Sequence, residues 1–352
     1  MLSTYGKSGS SKIAPFAKLF ILLLTTFWLQ GAVAKESSSL VKENATPVFS
    51  EQAFATWVAA LESEGLDNGI SANTLAEVLP QIKFLTRVIE LDRNQPEFKL
   101  TSDQYLSRVI SKHRINKGRK LLKEHNVLLS RIEKEFGVPP RFIVALWGME
   151  TGFGRMTGGF NAINALATLA YDGRRSAFFR KQLFKALKII DQGHTTYKEM
   201  LGSWAGAMGQ TQFMPSTFES YAIDFTGDGK IDLWSDKEDA LASGANYLSQ
   251  VGWVRGQTWG REVTLPSSFD AKLLGLSSSK KISEWQALGI RRVNGDDLPT
   301  REIDAYIIRL DKGKGRSYMV YENYLAIMDW NKSKNFATAV GLLSDKIGRI
   351  TK

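Results

Sequence analysis

The chain has 352 residues, of which 43% are hydrophobic, 11% aromatic and 23% charged, and it contains no cysteine. This composition excludes an intrinsically disordered protein, a disulfide framework and a lipid-modified cysteine. The formal net charge of +10 suits nucleic acid, anionic lipid or an anionic cell-wall polymer without choosing among them. Because there are only three histidines and no HExxH spacing, any chemistry is expected to rest on carboxylates rather than on zinc or a Ser-His-Asp triad.

The N-terminus has the order of a secretory signal peptide. Three lysines precede an apolar run at residues 19–29, which is followed by the small residues 32–34. The run is short for a membrane span, so we predict a signal peptide over 1–34 and an exported, soluble mature protein. Removal of the three lysines lowers the charge from +10 to +7. Export argues against nucleic acid as a partner. The polar residues 35–48 predict a flexible lead-in.

Residues 49–137 predict a helical N-terminal domain, because their apolar residues recur at helical spacing. The predicted segments are 54–61, 74–79, 84–92, a helix capped by Thr101 or Ser102, and a long helix over 115–136.

The central core, predicted over 138–251, begins with a helix that carries a carboxylate. A Pro-Pro pair is placed to start this helix, and Gly152 is placed to end it in the left-handed conformation. Glu150 completes an apolar face that also contains Ile143, Leu146 and Trp147. A glutamate in this position is either a partly exposed helix end or a catalytic acid with a raised pKa, and this segment by itself leaves both open.

Two further helices and a glycine-rich loop follow in the core. Residues 161–170 are small enough for close helix packing, and 177–191 form an amphipathic pattern. Residues 202–218, GSWAGAMGQTQFMPSTF, cannot form a regular helix or strand before Pro215. We therefore predict a loop that feeds a helix and that brings its backbone close to a ligand.

Residues 224–235 match an EF-hand calcium loop at nearly every diagnostic position. Ser235 replaces the bidentate glutamate at position 12, so a later acidic residue would have to reach back. The predicted outcome is a structural Ca²⁺ site or a metal-free turn with the same Asp-Gly chemistry, and no organic cofactor is expected. The predicted ligands are Asp224, Thr226, Asp228, Lys230, Asp232 and Asp239.

After residue 251 the sequence pattern changes from helical to strand-like, and it becomes helical again after residue 321. Residues 252–321 contain short strand-like runs at 262–265, 303–310 and 316–321, which predict a small β-rich subdomain. Residues 322–352 return to a helical pattern that is expected to pack on the core. The predicted fold class is α+β, mainly α, with a helical N-terminal domain, a central core that carries the calcium loop, and a small antiparallel β subdomain.

The Glu-Thr-Gly-Phe-Gly helix end, the GSWAGAMGQTQFMPS loop and the EF-hand-like loop occur in one order. In this order they resemble the lytic murein transglycosylase B family, enzymes of the lysozyme-like superfamily that cleave peptidoglycan glycan strands. ELDRNQPEF early and Trp330-Asn331-Lys332-Ser333 late extend the resemblance over nearly the whole mature chain. The resemblance implies a lysozyme-like core and, without a lipobox cysteine, a soluble periplasmic member of the family.

The resemblance also implies roles for individual residues. Glu150 would be the single catalytic acid/base, and the product would be a 1,6-anhydromuramoyl end formed by attack of the substrate's own C6 hydroxyl. Phe336 stands where the family is expected to have tyrosine, so a hydroxyl-dependent contact would be missing there. The residues that would line the sugar sites are Arg174, Arg175, Ser203, Gln212, Tyr324, Asn331 and Phe336.

Two alternatives to this function remain open at the level of the sequence. A hydrolytic muramidase would need a second carboxylate, for which only Asp172 and Asp191 are offered. A non-catalytic peptidoglycan-binding protein would not need Glu150 on an apolar face. The expected partners are peptidoglycan glycan strands, with cell-wall enzyme complexes left open and a monomer expected.

Overall fold

The structure is a computed structural model that describes residues 50–94 and 100–349. The predicted signal peptide (1–34) and lead-in (35–48) lie outside the described residues. So does most of the segment 94–98, for which the sequence predicts an extended turn because Gln95 precedes Pro96. Within the described ranges, no helix is both long enough and apolar enough to cross a membrane.

The described residues are mainly helical, as predicted. The α-helices are α1 (Glu51–Ala59), α2 (Leu61–Asp67), α3 (Ala72–Val78), α4 (Thr86–Arg93), α5 (Ser102–Val109), α6 (Lys112–Glu124), α7 (Asn126–Phe136), α8 (Pro140–Thr151), α9 (Ala162–Tyr171), α10 (Ser176–Asp191), α11 (Pro215–Tyr221), α12 (Lys237–Gln250), α13 (Ile282–Ala287), α14 (Glu322–Trp330) and α15 (Lys334–Gly348).

Two small antiparallel sheets accompany the helices. The strands are β1 (Phe160–Asn161), β2 (Leu201–Gly202), β3 (Gly260–Thr264), β4 (Gly275–Lys281), β5 (Arg291–Arg292), β6 (Asp304–Arg309) and β7 (Ser317–Val320). β1 pairs with β2, and the other five form one sheet in the order β4-β6-β7-β3-β5. The predicted antiparallel β-rich region is therefore confirmed.

The apolar residues bury themselves in three clusters. One joins α1 to α4 with α9, α10 and the glycine-rich loop. A second joins α5 to α8 with α12, α14 and α15, and a third lies between the five-stranded sheet and α13. The helices of the predicted N-terminal domain thus contribute to two different clusters, and the predicted domain boundaries stay predictions.

Helix α8 lies at the centre of the second cluster. Pro140 occupies its first turn, where a missing N–H costs nothing, and Gly152 ends it with a φ of 59°. Seven consecutive residues, Phe142 to Gly148, are buried. They pack against α6, α7, α12 and α15, so the backbone that carries Glu150 is fixed from several sides.

Two local predictions differ from the structure. The predicted helix over 115–136 is two helices, because His125 leaves the helical conformation at φ −101° and ψ 23°. One non-helical residue barely alters the spacing of the apolar side chains, so the pattern did not reveal it. Strand β4, GLSSSKK, was also missed because it is polar. It is an edge strand, where the partly exposed Lys280 and Lys281 disfavour pairing with another chain.

Candidate active site

Glu150 lies in the last turn of α8, beside the end of α14. Its Oε1 accepts a hydrogen bond of 2.8 Å from Nε1 of Trp330. The indole ring is held by Phe213 and Tyr247, with ring centroids 5.4 and 5.0 Å away. The carboxyl group is therefore oriented by a side chain that is itself fixed by packing.

The surroundings of the Glu150 carboxyl are almost entirely apolar. A small pocket beside it is lined by Ile143, Leu146, Trp147, Glu150, Thr211, Leu241, Gly244 and Trp330. All eight belong to the described residues, and Glu150 is the one titratable group among them. The predicted apolar face of α8 is thus confirmed as a wall of the pocket that contains Glu150.

Burial raises the pKa of Glu150 from 4.5 to about 7, whereas the hydrogen bond from Trp330 acts in the opposite direction and lowers it. Removal of water disfavours the charged carboxylate, and a donated hydrogen bond favours it. The raised pKa that the apolar face predicted is confirmed, and the group is able to hold a proton near neutral pH. The added contribution predicted from the helix dipole stays a prediction.

Ser203 and Gln212, predicted sugar contacts on the glycine-rich loop, are both buried and bonded within the protein. Ser203 Oγ accepts hydrogen bonds from the backbone N–H groups of Ala205 and Ala207 at 3.3 and 3.0 Å. Nε2 of Gln212 donates to the carbonyl oxygens of Thr157 and Gly209, each at 2.9 Å. These bonds shape the loop that contacts α8, whereas Gln212 Oε1 is buried without a hydrogen-bond partner among the described residues.

Gln210, which the sequence analysis did not single out, connects this loop to α8. Its Oε1 accepts a hydrogen bond of 3.1 Å from Trp147 Nε1, and its carbonyl oxygen accepts one of 2.9 Å from Thr151 Oγ1. Its backbone N–H donates to the Leu233 carbonyl at 2.8 Å. Its position among the polar residues of the loop was the only sequence signal. Trp330 was likewise quoted in a motif without a role.

Arg174 and Arg175, two more predicted sugar contacts, bind Asp92 instead. Arg174 Nε lies 2.9 Å from Asp92 Oδ2, and Arg175 Nη2 lies 2.5 Å from Oδ1. Asp92 is only 1% exposed, so this ion pair joins the end of α4 to the start of α10. The structure does not place either arginine among the residues that line the Glu150 pocket.

The C-terminal residues predicted to contact sugars have different positions. Tyr324 is completely buried, and its hydroxyl donates to the Lys334 carbonyl at 3.1 Å. Phe336 is buried in the same cluster. Both side chains are thus largely covered by the protein in this structure, and their roles as sugar contacts stay predictions. Asn331 is partly exposed and directly follows Trp330, and its role as a sugar contact stays a prediction.

The EF-hand-like loop has oxygen donors but no formed metal cluster. Asp224 accepts backbone hydrogen bonds from Gly227 and Gly229 at 2.6 and 2.7 Å. Buried Asp239 accepts them from Phe225 and Asp232 at 2.8 and 2.9 Å. These hydrogen bonds close the loop. The carboxylate oxygens that accept them are hard ligands of the kind that Ca²⁺ prefers. Within the described residues, however, no three His, Asp or Glu side chains are placed to hold a metal ion.

Comparison with known proteins now identifies the family. A model of the transglycosylase SLT domain matches residues 53–345. The membrane-bound lytic murein transglycosylase B of Escherichia coli (strain K12) is 32% identical over 296 residues, covering 80% of this chain and 79% of that protein. The chain belongs to the transglycosylase SLT domain family.

Solved structures of SLT-domain transglycosylases share its fold. SltB3 from Pseudomonas aeruginosa, in complex with NAG-anhNAM-pentapeptide, is 42% identical with a TM-score of 0.81, covering 85% of this chain and 81% of that one. Slt35 from Escherichia coli, in complex with calcium, is 30% identical with a TM-score of 0.71, covering 87% and 97%. The lysozyme-like transglycosylase fold and the activity of a peptidoglycan lytic transglycosylase are therefore confirmed.

Proposed function

We propose that this transglycosylase cleaves the β-1,4 bond between N-acetylmuramic acid and N-acetylglucosamine with Glu150 as its single acid/base. The observation that carries the proposal is one desolvated carboxyl group, with a pKa of about 7, as the one acidic member of its pocket. A group with this pKa can donate a proton near neutral pH and then accept one.

The proposed reaction proceeds in two proton transfers. Protonated Glu150 gives its proton to the glycosidic oxygen as the bond from that oxygen to C1 breaks. The resulting carboxylate accepts the proton of the C6 hydroxyl of muramic acid as O6 bonds to C1, giving a 1,6-anhydromuramoyl end. The nucleophile, the C6 hydroxyl, belongs to the same sugar as C1 and is therefore held close to it. This proximity removes the need for a second carboxylate that would act as nucleophile or activate water. Trp330 holds one carboxyl oxygen and leaves the other for the substrate.

Hydrolysis by water is the competing reaction, and to become the main route it would need a second carboxylate as base or nucleophile. Asp172 forms an ion pair with Arg93 at 2.7 Å, and Asp191 accepts a hydrogen bond of 2.7 Å from Thr74. Neither lines the Glu150 pocket. Mass spectrometry of digested sacculi tests the choice: anhydro ends support the proposal, and reducing ends alone contradict it.

Replacement of Trp330 by phenylalanine is expected to move the alkaline limb of the pH profile of kcat/KM upward by about one pH unit. The reason is that its hydrogen bond lowers the pKa of Glu150. Trp285→Phe is a matched control, because it removes another buried indole donor, bonded to Ala305 at 2.9 Å. An unshifted profile in Trp330→Phe would contradict an orienting role for Trp330.

We also propose that the loop 224–235 binds a structural Ca²⁺. The carboxylates of Asp224, Asp228, Asp232 and Asp239, the Thr226 hydroxyl and the Lys230 carbonyl would hold the ion, consistent with the calcium complex of Slt35. The bound ion would supply positive charge that brings these oxygens together. It would stabilise the loop, whose Leu233 carbonyl accepts the Gln210 N–H.

Saturating calcium is expected to raise the melting temperature of the wild-type protein by several degrees, because a ligand that binds only the native state stabilises it. The double variant Asp224→Ala/Asp228→Ala is expected to lose this response, which differential scanning calorimetry measures. Magnesium serves as the ion control. An equal calcium response in the wild type and the variant would place any calcium binding elsewhere.

The periplasm is the location that we infer from the predicted signal peptide and from the substrate.

Among the predicted sugar contacts, the partly exposed position of Asn331 beside Trp330 supports its role best.

A further inference from the structure

Thr211 has a polar group that the mechanism above does not use. The residue is 4% exposed, and its Oγ1 is buried without a hydrogen-bond partner among the described residues. A buried hydroxyl left unpaired destabilises a protein, so its presence requires an explanation. Thr211 lines the same pocket as Glu150, so the residue with the unpaired hydroxyl belongs to the wall of the candidate active site.

The backbone around Thr211 is held on both sides. Gln210 is bonded to Leu233 and to α8, and Gln212 is bonded to Thr157 and Gly209. Gln212 also has a φ of 53°, an uncommon conformation for a residue with a side chain. These contacts fix the backbone that presents Thr211 to the pocket.

The methyl group of Thr211 packs against α12, which leaves the hydroxyl as its free end. Thr211 Cγ2 lies 3.5 Å from the place that a Cβ on Gly244 would occupy, and Trp330 Cη2 lies at the same distance from that place. The Thr211 methyl group and the outer edge of the Trp330 ring therefore both lie beside Gly244, on the same side of the pocket.

We propose that the Thr211 hydroxyl hydrogen-bonds O6 of N-acetylmuramic acid and aligns the C6 hydroxyl for attack on C1; this inference rests on the function proposed for Glu150. The C6 hydroxyl must approach Glu150 to give up its proton, which brings it to the pocket that Thr211 also lines. Thr211 donates to O6 while the O6 hydrogen points at the Glu150 carboxylate. Thr211 keeps its own proton, O6 bonds to C1, and the O6 proton passes to Glu150.

Alignment of O6 also determines whether the C6 hydroxyl or water attacks C1. A C6 hydroxyl that is free to rotate spends less time within reach of C1, and water then competes for the same carbon. The partition between anhydro and reducing ends is therefore a direct readout of Thr211. A residue that only supports the fold would lower the activity through stability and would leave this partition unchanged.

The test compares Thr211→Val, which keeps the shape but removes the hydroxyl, with Thr211→Ser, which keeps the hydroxyl but removes the methyl. In Thr211→Val we expect kcat/KM on purified glycan strands to fall about 10- to 100-fold, with a larger share of reducing ends. Its melting temperature should stay equal to that of the wild type or rise, because an unpaired buried hydroxyl is removed. Thr211→Ser should restore the wild-type product ratio.

Wild-type rate and product ratio in Thr211→Val would overturn the inference, as would a rate loss without any change in product ratio. A loss of product selectivity in Thr211→Ser equal to that in Thr211→Val would overturn it as well. Glu150→Gln separates this inference from the proposed function. If Glu150→Gln is inactive while Thr211→Val is normal, only the role of Thr211 fails. If Glu150→Gln is fully active, the proposed function itself fails.

Discussion

Replacement of Glu150 by glutamine is expected to lower the release of anhydromuropeptides from purified sacculi by about 10²- to 10⁴-fold. The amide keeps the size of the side chain, and its oxygen can still accept the hydrogen bond from Trp330. It cannot give a proton to the glycosidic oxygen or accept one from the C6 hydroxyl. The loss should therefore appear in kcat, while binding of the protein to sacculi should be retained.

Glu90→Gln makes the same chemical change at an exposed position of α4, where Glu90 pairs with Arg87 at 2.6 Å. This control variant should release anhydromuropeptides at the wild-type rate. Both variants should have the circular dichroism spectrum of the wild type, which separates lost chemistry from lost structure. Undiminished activity in Glu150→Gln would refute the single-carboxyl mechanism.

Glu150→Gln is also expected to stabilise the protein at alkaline pH by up to about 3 kcal/mol. The folded protein raises the pKa of Glu150 from 4.5 to about 7, so the folded state binds the proton more tightly than the unfolded state. The contribution of Glu150 to the free energy of unfolding of the wild type should therefore fall as the pH rises from 4.5 to 7. Below pH 4.5 the group is neutral in both states, and the two proteins should be equally stable.

Urea denaturation at pH 4 and pH 8 measures this difference. We expect the two unfolding free energies to be similar at pH 4 and to diverge at pH 8 in favour of the variant. The comparison between two proteins that differ at one position cancels the titration of the remaining groups. A constant difference at both pH values would show that the carboxyl group is not desolvated in the folded protein.

Much of the fold was predictable because local signals and packing agree. The Pro-Pro start of α8, its glycine end and its apolar face specified one helix, and the structure buries it as expected. The break at His125 and the polar edge strand β4 could not be predicted in this way. Neither depends on apolar periodicity, since one is a single-residue irregularity and the other is set by pairing with β6.

The candidate site was predictable only where residues are close in sequence. Glu150 and the apolar wall of its pocket share one helix, so their spacing placed them together. Trp330, Gln210 and Thr211 reach them from other elements, and no spacing rule relates these positions. The contacts of Arg174 and Arg175 with Asp92 could not be foreseen for the same reason, because an arginine pair suits an anionic ligand and a buried aspartate equally well.

The bond between Glu150 and Trp330 joins positions 180 residues apart. Residue 330 lies near the C-terminal end of the 352-residue chain, so the indole that orients Glu150 exists only once almost the whole chain has been made. Until then the Glu150 carboxyl lacks the hydrogen bond that orients it. The position of this donor therefore ties a complete active site of a wall-degrading enzyme to a nearly complete chain.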